Sequence, residues 1–166
     1  MTSEFHQKID AILVPLSAHL LLDQNAMLAT AESCTGGWIA KCCTDYAGSS
    51  NWFERGFVTY SNAAKHEMLG VDEQLLEAQG AVSEDVALAM VAGAIKNSGA
   101  RAAVAVTGIA GPDGGSEDKP VGTVCFAWTY DGESISQTCL FAGDRNAVRA
   151  QTVIHALTRM LKIVEG

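Results

Sequence analysis

Residues 30–38 read TAESCTGGW, which places three groups able to attack an electrophilic carbon, Ser33, Cys34 and Thr35, directly ahead of Gly36 and Gly37. The thiol of Cys34 is intrinsically the strongest nucleophile of the three. A thiol attack would normally use a histidine, yet His6, His19, His66 and His155 all fall on helix-like segments, where a lone histidine is more often structural or solvated. A serine also needs a base. Lys65 is the best candidate for Ser33, because a lysine enclosed by apolar walls loses hydration, its pKa falls, and the neutral amine can take a hydroxyl proton. The plain alternative is an ordinary exposed helix lysine. Ser61, four residues before Lys65, could face it on a helix and is a rival nucleophile. Tyr60 could hydrogen-bond either group or simply complete a core.

The two glycines fit the start of a helix. On one reading Ser33 or Thr35 is the N-cap and the glycines allow close packing on a sheet. On the other, uncovered amides at the helix start receive an anion, either a phosphate or the oxyanion of an acyl transfer. Further on, TGIAGPDGG (107–115) matches neither G-x-G-x-x-G nor G-x-x-x-x-G-K-[ST]. It follows an apolar strand, however, where Gly108 and Gly111 would expose backbone to a ligand. Arg145 lies at a predicted helix start, an unusual place for a cation, which a bound phosphate or a salt bridge to a carboxylate would explain.

Strands alternating with helices must position these groups. Ile9, Ile12, Leu13, Leu16 and Leu20 recur at helical spacing, with Pro15 expected to kink or break the helix. AMLATA (26–31) reads as a buried strand, followed by a helix from about Thr35 to Gly48. GFVTYS (56–61) reads as the second strand, and short helices cover 64–69 and 72–79. Ser83 caps a longer helix, with Glu84 and Asp85 in its first turn and Val86, Met90, Ala94 and Ile95 on its core face, ending at Gly99. AAVAVTG (102–108) has the unbroken apolar character of a strand covered on both faces. GPDGGSEDKP (111–120) is a turn-rich loop. The segments on either side of Asp131-Gly132-Glu133 form an antiparallel hairpin, and a last helix begins near Asp144 and buries Val148, Val153, Ile154, Leu157 and Leu161. The expected fold is therefore α/β: a three-layer α/β/α sandwich whose mixed, mostly parallel central sheet contains one antiparallel hairpin.

A length of 166 residues fits one domain spanning 1–166, and 48% hydrophobic with 18% charged residues indicates a globular chain. A net charge of -8 argues against nucleic acid or an anionic membrane as partner. No uncharged apolar run approaches the roughly 18 residues of a membrane span, and no signal sequence opens the chain. The five cysteines are odd in number and lack C-x-x-C, which suggests neither a disulfide framework nor a zinc ribbon and fits a reducing cytoplasm. A homo-oligomer, most simply a dimer, is expected; Trp52 or Phe53 could anchor it, although core packing is the commoner fate of such residues.

TAESCTGGWIA, GSSNWFERGFVTYSNAAKHEMLGV, GAVSEDVA and AVTGIAGPDGGSEDKPVGTV together resemble the CinA C-terminal-domain family. They span most of the chain in order, and the first and last are highly specific. The resemblance implies hydrolysis of the carboxamide of nicotinamide mononucleotide to nicotinic acid mononucleotide and ammonia, with no metal and no cofactor. It implies that Ser33 is the nucleophile and Lys65 the base, supported by Tyr60 and Thr107. Cys34, Thr35, Gly36, Gly37, Asn62 and Gly108 would surround the substrate, and Arg145 would meet its phosphate. The competing reading is a pyridine-nucleotide-binding or regulatory module without turnover.

Overall fold

Local signals start most of the helices. In the computed structural model, which describes residues 3–23 and 26–166, Ser61, Asp72, Ser83 and Asp144 each accept a hydrogen bond from a backbone N–H two or three residues on. These caps satisfy amides that the helices themselves leave without partners. The helices they begin are α3 (Asn62–Leu69), α4 (Glu73–Gln79), α5 (Glu84–Lys96) and α6 (Arg145–Glu165). Two more precede them, α1 (Ser3–Leu22) and α2 (Trp38–Thr44). The strands are β1 (Leu28–Glu32), β2 (Phe53–Val58), β3 (Ala102–Gly108), β4 (Thr123–Tyr130) and β5 (Glu133–Leu140).

Pro15 and the start of the second helix depart from expectation. Of the kink or break expected at Pro15, the break does not occur: α1 runs through it from Ser3 to Leu22. A proline within a helix costs about 3 kcal/mol, but Phe5, Ile9, Ile12, Leu13, Leu16 and Leu20 are buried along one face on both sides of it. At roughly 1.5–3 kcal/mol for each fully buried large side chain, that face outweighs the loss. The second helix begins at Trp38 rather than near Thr35, because Gly36 and Gly37 adopt φ of 61° and 98°, outside the helical region. Trp52 is only 3% exposed and packs in the core with Phe53 against it, the commoner fate of such residues rather than that of an exposed anchor.

The sheet order is β2-β1-β3-β4-β5. β1 pairs in parallel with β2 and β3, while β4 is antiparallel to both β3 and β5. Four strands therefore share one direction and β4 opposes them. Asp131 and Gly132, with φ of 50° and 83°, make the two-residue turn between β4 and β5, a conformation whose twist matches that of the paired strands.

The two faces of the sheet are built differently. Toward α1, α2 and α6 the strands present Leu28, Val104, Val106, Phe126 and Trp128, and the Trp128 indole donates to the Ala156 carbonyl at 2.9 Å. Toward α5 they present Ala29, Ala31, Ala103, Ala105 and Ala127. These small residues let α5 lie close to the sheet, with Val86, Met90 and Val91 filling the seam. A second close approach lies behind it: a Cβ built at Gly93 of α5 would collide with the Leu69 carbonyl at the end of α3.

Candidate active site

Because β1, β2 and β3 are parallel, their carboxyl ends gather at one edge of the sheet, where α/β folds open their ligand crevices. The Ser33 amide donates to the Val106 carbonyl at 3.0 Å and the Thr59 amide donates to the Glu32 carbonyl at 2.8 Å. Each extends a ladder one residue beyond its strand, which seats Ser33 between the ends of β2 and β3. Past Thr59 the chain turns into α3, whose start is fixed by the Ser61 hydroxyl accepting the Ala64 N–H at 3.0 Å. Ser61 thus serves as a helix cap and does not line the cavity described below.

Lys65 reaches back from α3 into this junction. Its Nζ lies 2.9 Å from Ser33 Oγ, 3.0 Å from the Thr59 carbonyl and 3.3 Å from the Tyr60 carbonyl. The residue is 1% exposed, and among the described residues no carboxylate forms an ion pair with it. Burial therefore holds its pKa below the ordinary lysine range. As arranged here Nζ donates to Ser33 Oγ and to both carbonyls; in its neutral form it would keep two N–H donors for the carbonyls and have one lone pair to offer the serine hydroxyl. The adjacent thiol does not compete, since burial pushes Cys34 up to about 12 and keeps it protonated.

Ser33, Lys65, Cys34, Asn62, Tyr60 and Arg145 line a cavity of about 300 Å³, together with Thr107 and Gly108 at the end of β3 and Asp113 of the following loop. Thr107 spends its hydroxyl on the Ala81 carbonyl at 2.9 Å, tying the approach to α5 onto the strand end. Arg145 donates to the Gly111 carbonyl at 2.8 Å and to the Tyr60 hydroxyl at 3.2 Å. No carboxylate forms a salt bridge with Arg145 among the described residues.

Thr35, Gly36 and Gly37 do not join this lining. Thr35 turns its hydroxyl to Glu32 at 2.6 Å, the Gly36 amide donates to the Ser33 carbonyl at 3.0 Å, and Gly37 forms the entry to α2. The expected anion position at the start of α2 is already filled from within the chain. Glu32 accepts the Ile39 and Ala40 amides at 2.8 and 3.0 Å. The sequence reading missed Glu32, although a carboxylate closing an apolar strand was itself a signal. It also missed Arg149, which donates to the Cys34 and Thr35 carbonyls at 3.0 Å each and lies over the Trp38 ring. Arg149 is one helical turn beyond Arg145 and so shares its face of α6.

All four histidines lie on helices away from the cavity. The Cys139 thiol and His155 imidazole do come within 3.6 Å of each other. Burial raises the thiol and lowers the imidazole, so both groups favour their neutral forms rather than a reactive ion pair. No group of three or more His, Cys, Asp or Glu side chains suited to a metal ion occurs among the described residues.

The model of the CinA C-terminal domain matches residues 11–164. The chain belongs to the CinA C-terminal domain family. Among its relatives, the nicotinamide-nucleotide amidohydrolase PncC of Escherichia coli K12 is 57% identical over 152 residues, covering 89% of this chain and 92% of the relative. The protein of the same name from Pseudomonas putida is 58% identical over 139 residues, covering 84% and 87%. Among solved structures, the competence/damage inducible protein CihA of Agrobacterium tumefaciens is similar with a TM-score of 0.88 at 42% identity, over 100% of this chain and 98% of that one. The α/β fold of this chain, with its mixed five-stranded sheet, thus matches that solved structure along the whole chain.

Proposed function

We propose that this CinA-family chain is an amidohydrolase that converts nicotinamide mononucleotide to nicotinic acid mononucleotide and ammonia, with Ser33 as nucleophile and Lys65 as base. The observation that carries the reading is the buried Lys65 amine 2.9 Å from the Ser33 hydroxyl. The names of the PncC relatives supply the substrate class. The five free cysteines suit a reducing cytoplasm, the proposed location.

The chemistry balances with these two groups and water. Ser33 Oγ forms a bond to the carboxamide carbon as its proton passes to Lys65, and the carbonyl π electrons move to oxygen. The Cys34 backbone amide, next after the nucleophile and at the cavity wall, is the donor offered to that oxyanion. Collapse breaks the C–N bond while Lys65 returns the proton to the departing nitrogen, which leaves as ammonia. Water then attacks the acyl-serine and gives a proton to Lys65; the C–Oγ bond breaks and that proton restores the Ser33 hydroxyl. The cationic pyridinium disfavours a second positive charge nearby and so helps keep Lys65 neutral during attack. Arg145 meets the phosphate by exchanging its Gly111 and Tyr60 partners for phosphate oxygens, which make stronger, charge-assisted bonds.

Chelator-treated protein should release ammonia from nicotinamide mononucleotide, and Ser33→Ala should not. Full activity in Ser33→Ala would remove the nucleophile assignment. Binding of the mononucleotide without turnover from neutral to alkaline pH would instead establish a binding module.

A further inference from the structure

Glu32 is fully buried one residue before the proposed nucleophile. Its Oε1 accepts from the Thr35 hydroxyl at 2.6 Å and from the Ile39 amide at 2.8 Å, and its Oε2 accepts from the Ala40 amide at 3.0 Å. Among the described residues it has no cationic salt-bridge partner. A charge withdrawn from water is tolerated only when its oxygens are met; here that is done by the first turn of α2 and one hydroxyl. Gly37, at the usual cap position, has no side chain with which to do this. The carboxylate thus caps α2 from the end of β1 and spans the entire turn between them.

The Ser33 backbone is held by its amide on the Val106 carbonyl and by the Gly36 amide on its own carbonyl, both at 3.0 Å, while its side chain is restrained by few contacts. Its hydroxyl meets Lys65 and, at 3.4 Å, the Tyr60 carbonyl. The rest of the turn hangs from Glu32 on one side and from the Arg149 guanidinium on the Cys34 and Thr35 carbonyls on the other. We propose that Glu32 is a positioning residue: by binding Thr35 and the start of α2 it holds the turn that presents the Ser33 hydroxyl to the Lys65 amine. This rests on the Ser33–Lys65 assignment of the preceding section. A glutamine at position 32 would bring one acceptor oxygen and an NH2 group that cannot accept, leaving an α2 amide facing a donor.

The test compares wild type with Glu32→Gln by ammonia release, by labelling of Ser33 with a fluorophosphonate followed by mass spectrometry, and by amide exchange at Ile39 and Ala40. In Glu32→Gln, kcat and the labelling rate should both fall by about tenfold or more while KM stays within about twofold, since small misplacements of a reacting group cost rate before binding. The two amides should exchange faster, and the pH at which the Lys65-dependent rate half-develops should not move. Ser83→Ala, which removes the α5 cap, is the control for lost stability alone and should leave kcat unchanged. Unchanged kcat and labelling in a Glu32→Gln protein with faster amide exchange would overturn the proposal and leave the amidohydrolase reading standing. Wild type that labels at Ser33 but releases no ammonia would overturn that reading instead, and the labelling ratio would still decide Glu32. Wild type that does neither overturns both. Should Glu32→Gln fail to fold, Thr35→Val removes only the hydroxyl contact; it should lower kcat and labelling with KM retained, and unchanged values would overturn the proposal.

Discussion

Lys41 and Lys65 are both lysines on short helices of this α/β layer, and their surroundings make them different chemical groups. Lys41, on α2, holds its ammonium 2.6 Å from the Asp45 carboxylate in solvent, and that hydrogen bond raises its pKa. Lys65, on α3, is withdrawn from water against carbonyls and a hydroxyl, and burial lowers its pKa. The side chain is the same; enclosure without a counter-charge moves its pKa in the opposite direction, as the base proposed for this site requires.

The largest expected effect comes from removing each amine in turn. Lys65→Met should lower kcat for ammonia release by roughly 10²–10⁴-fold, the span usual for a general base, whereas Lys41→Met should leave it unchanged. Equal losses in both variants would erase the distinction. Next is the pH profile. With neutral Lys65 as base, kcat/KM should rise with pH and level off once the amine is deprotonated, the midpoint lying below the ordinary lysine range. A midpoint at that ordinary value would show that burial does not tune the group.

A third measurement reads the same shift as stability. The unfolded chain binds the Lys65 proton more tightly than the folded one. Between the depressed folded value and the ordinary unfolded value, therefore, stability should increase as pH rises; below the folded value the full penalty is present. Lys65→Met should flatten that rise in urea unfolding curves and Lys41→Met should not. The smallest effect tests whether the site depends on general helix stability. Ser83→Ala should cost about 1 kcal/mol in the same unfolding assay, the usual value of a lost cap. Turnover should be unaffected, because the α5 cap lies outside the proposed Ser33–Lys65 pair.

Features set by nearby residues were readable from the sequence. The Ser83 cap, the Asp144 start of α6, the apolar run of β3 and the Asp131-Gly132 hairpin each depend on a few adjacent side chains. Ser33 and Lys65 could be named as a pair, but the enclosure that distinguishes Lys65 from Lys41 arises where ends of separate elements converge. Glu32 escaped notice because its partners lie three to eight residues on, across a turn whose shape the glycines determine. Arg149 escaped because its acceptors are 115 and 114 residues away in the chain. Pro15 misled in the opposite direction as a possible helix break, a local rule overridden by a buried face.

The missing methyl at Gly93 has a reach well beyond its own helix. Since the α3 backbone rests where any side chain on α5 would have to go, enlarging that one residue would drive α3 outward and carry the Lys65 amine with it. On the proposed mechanism, a single carbon atom added outside the cavity would then be enough to silence the enzyme.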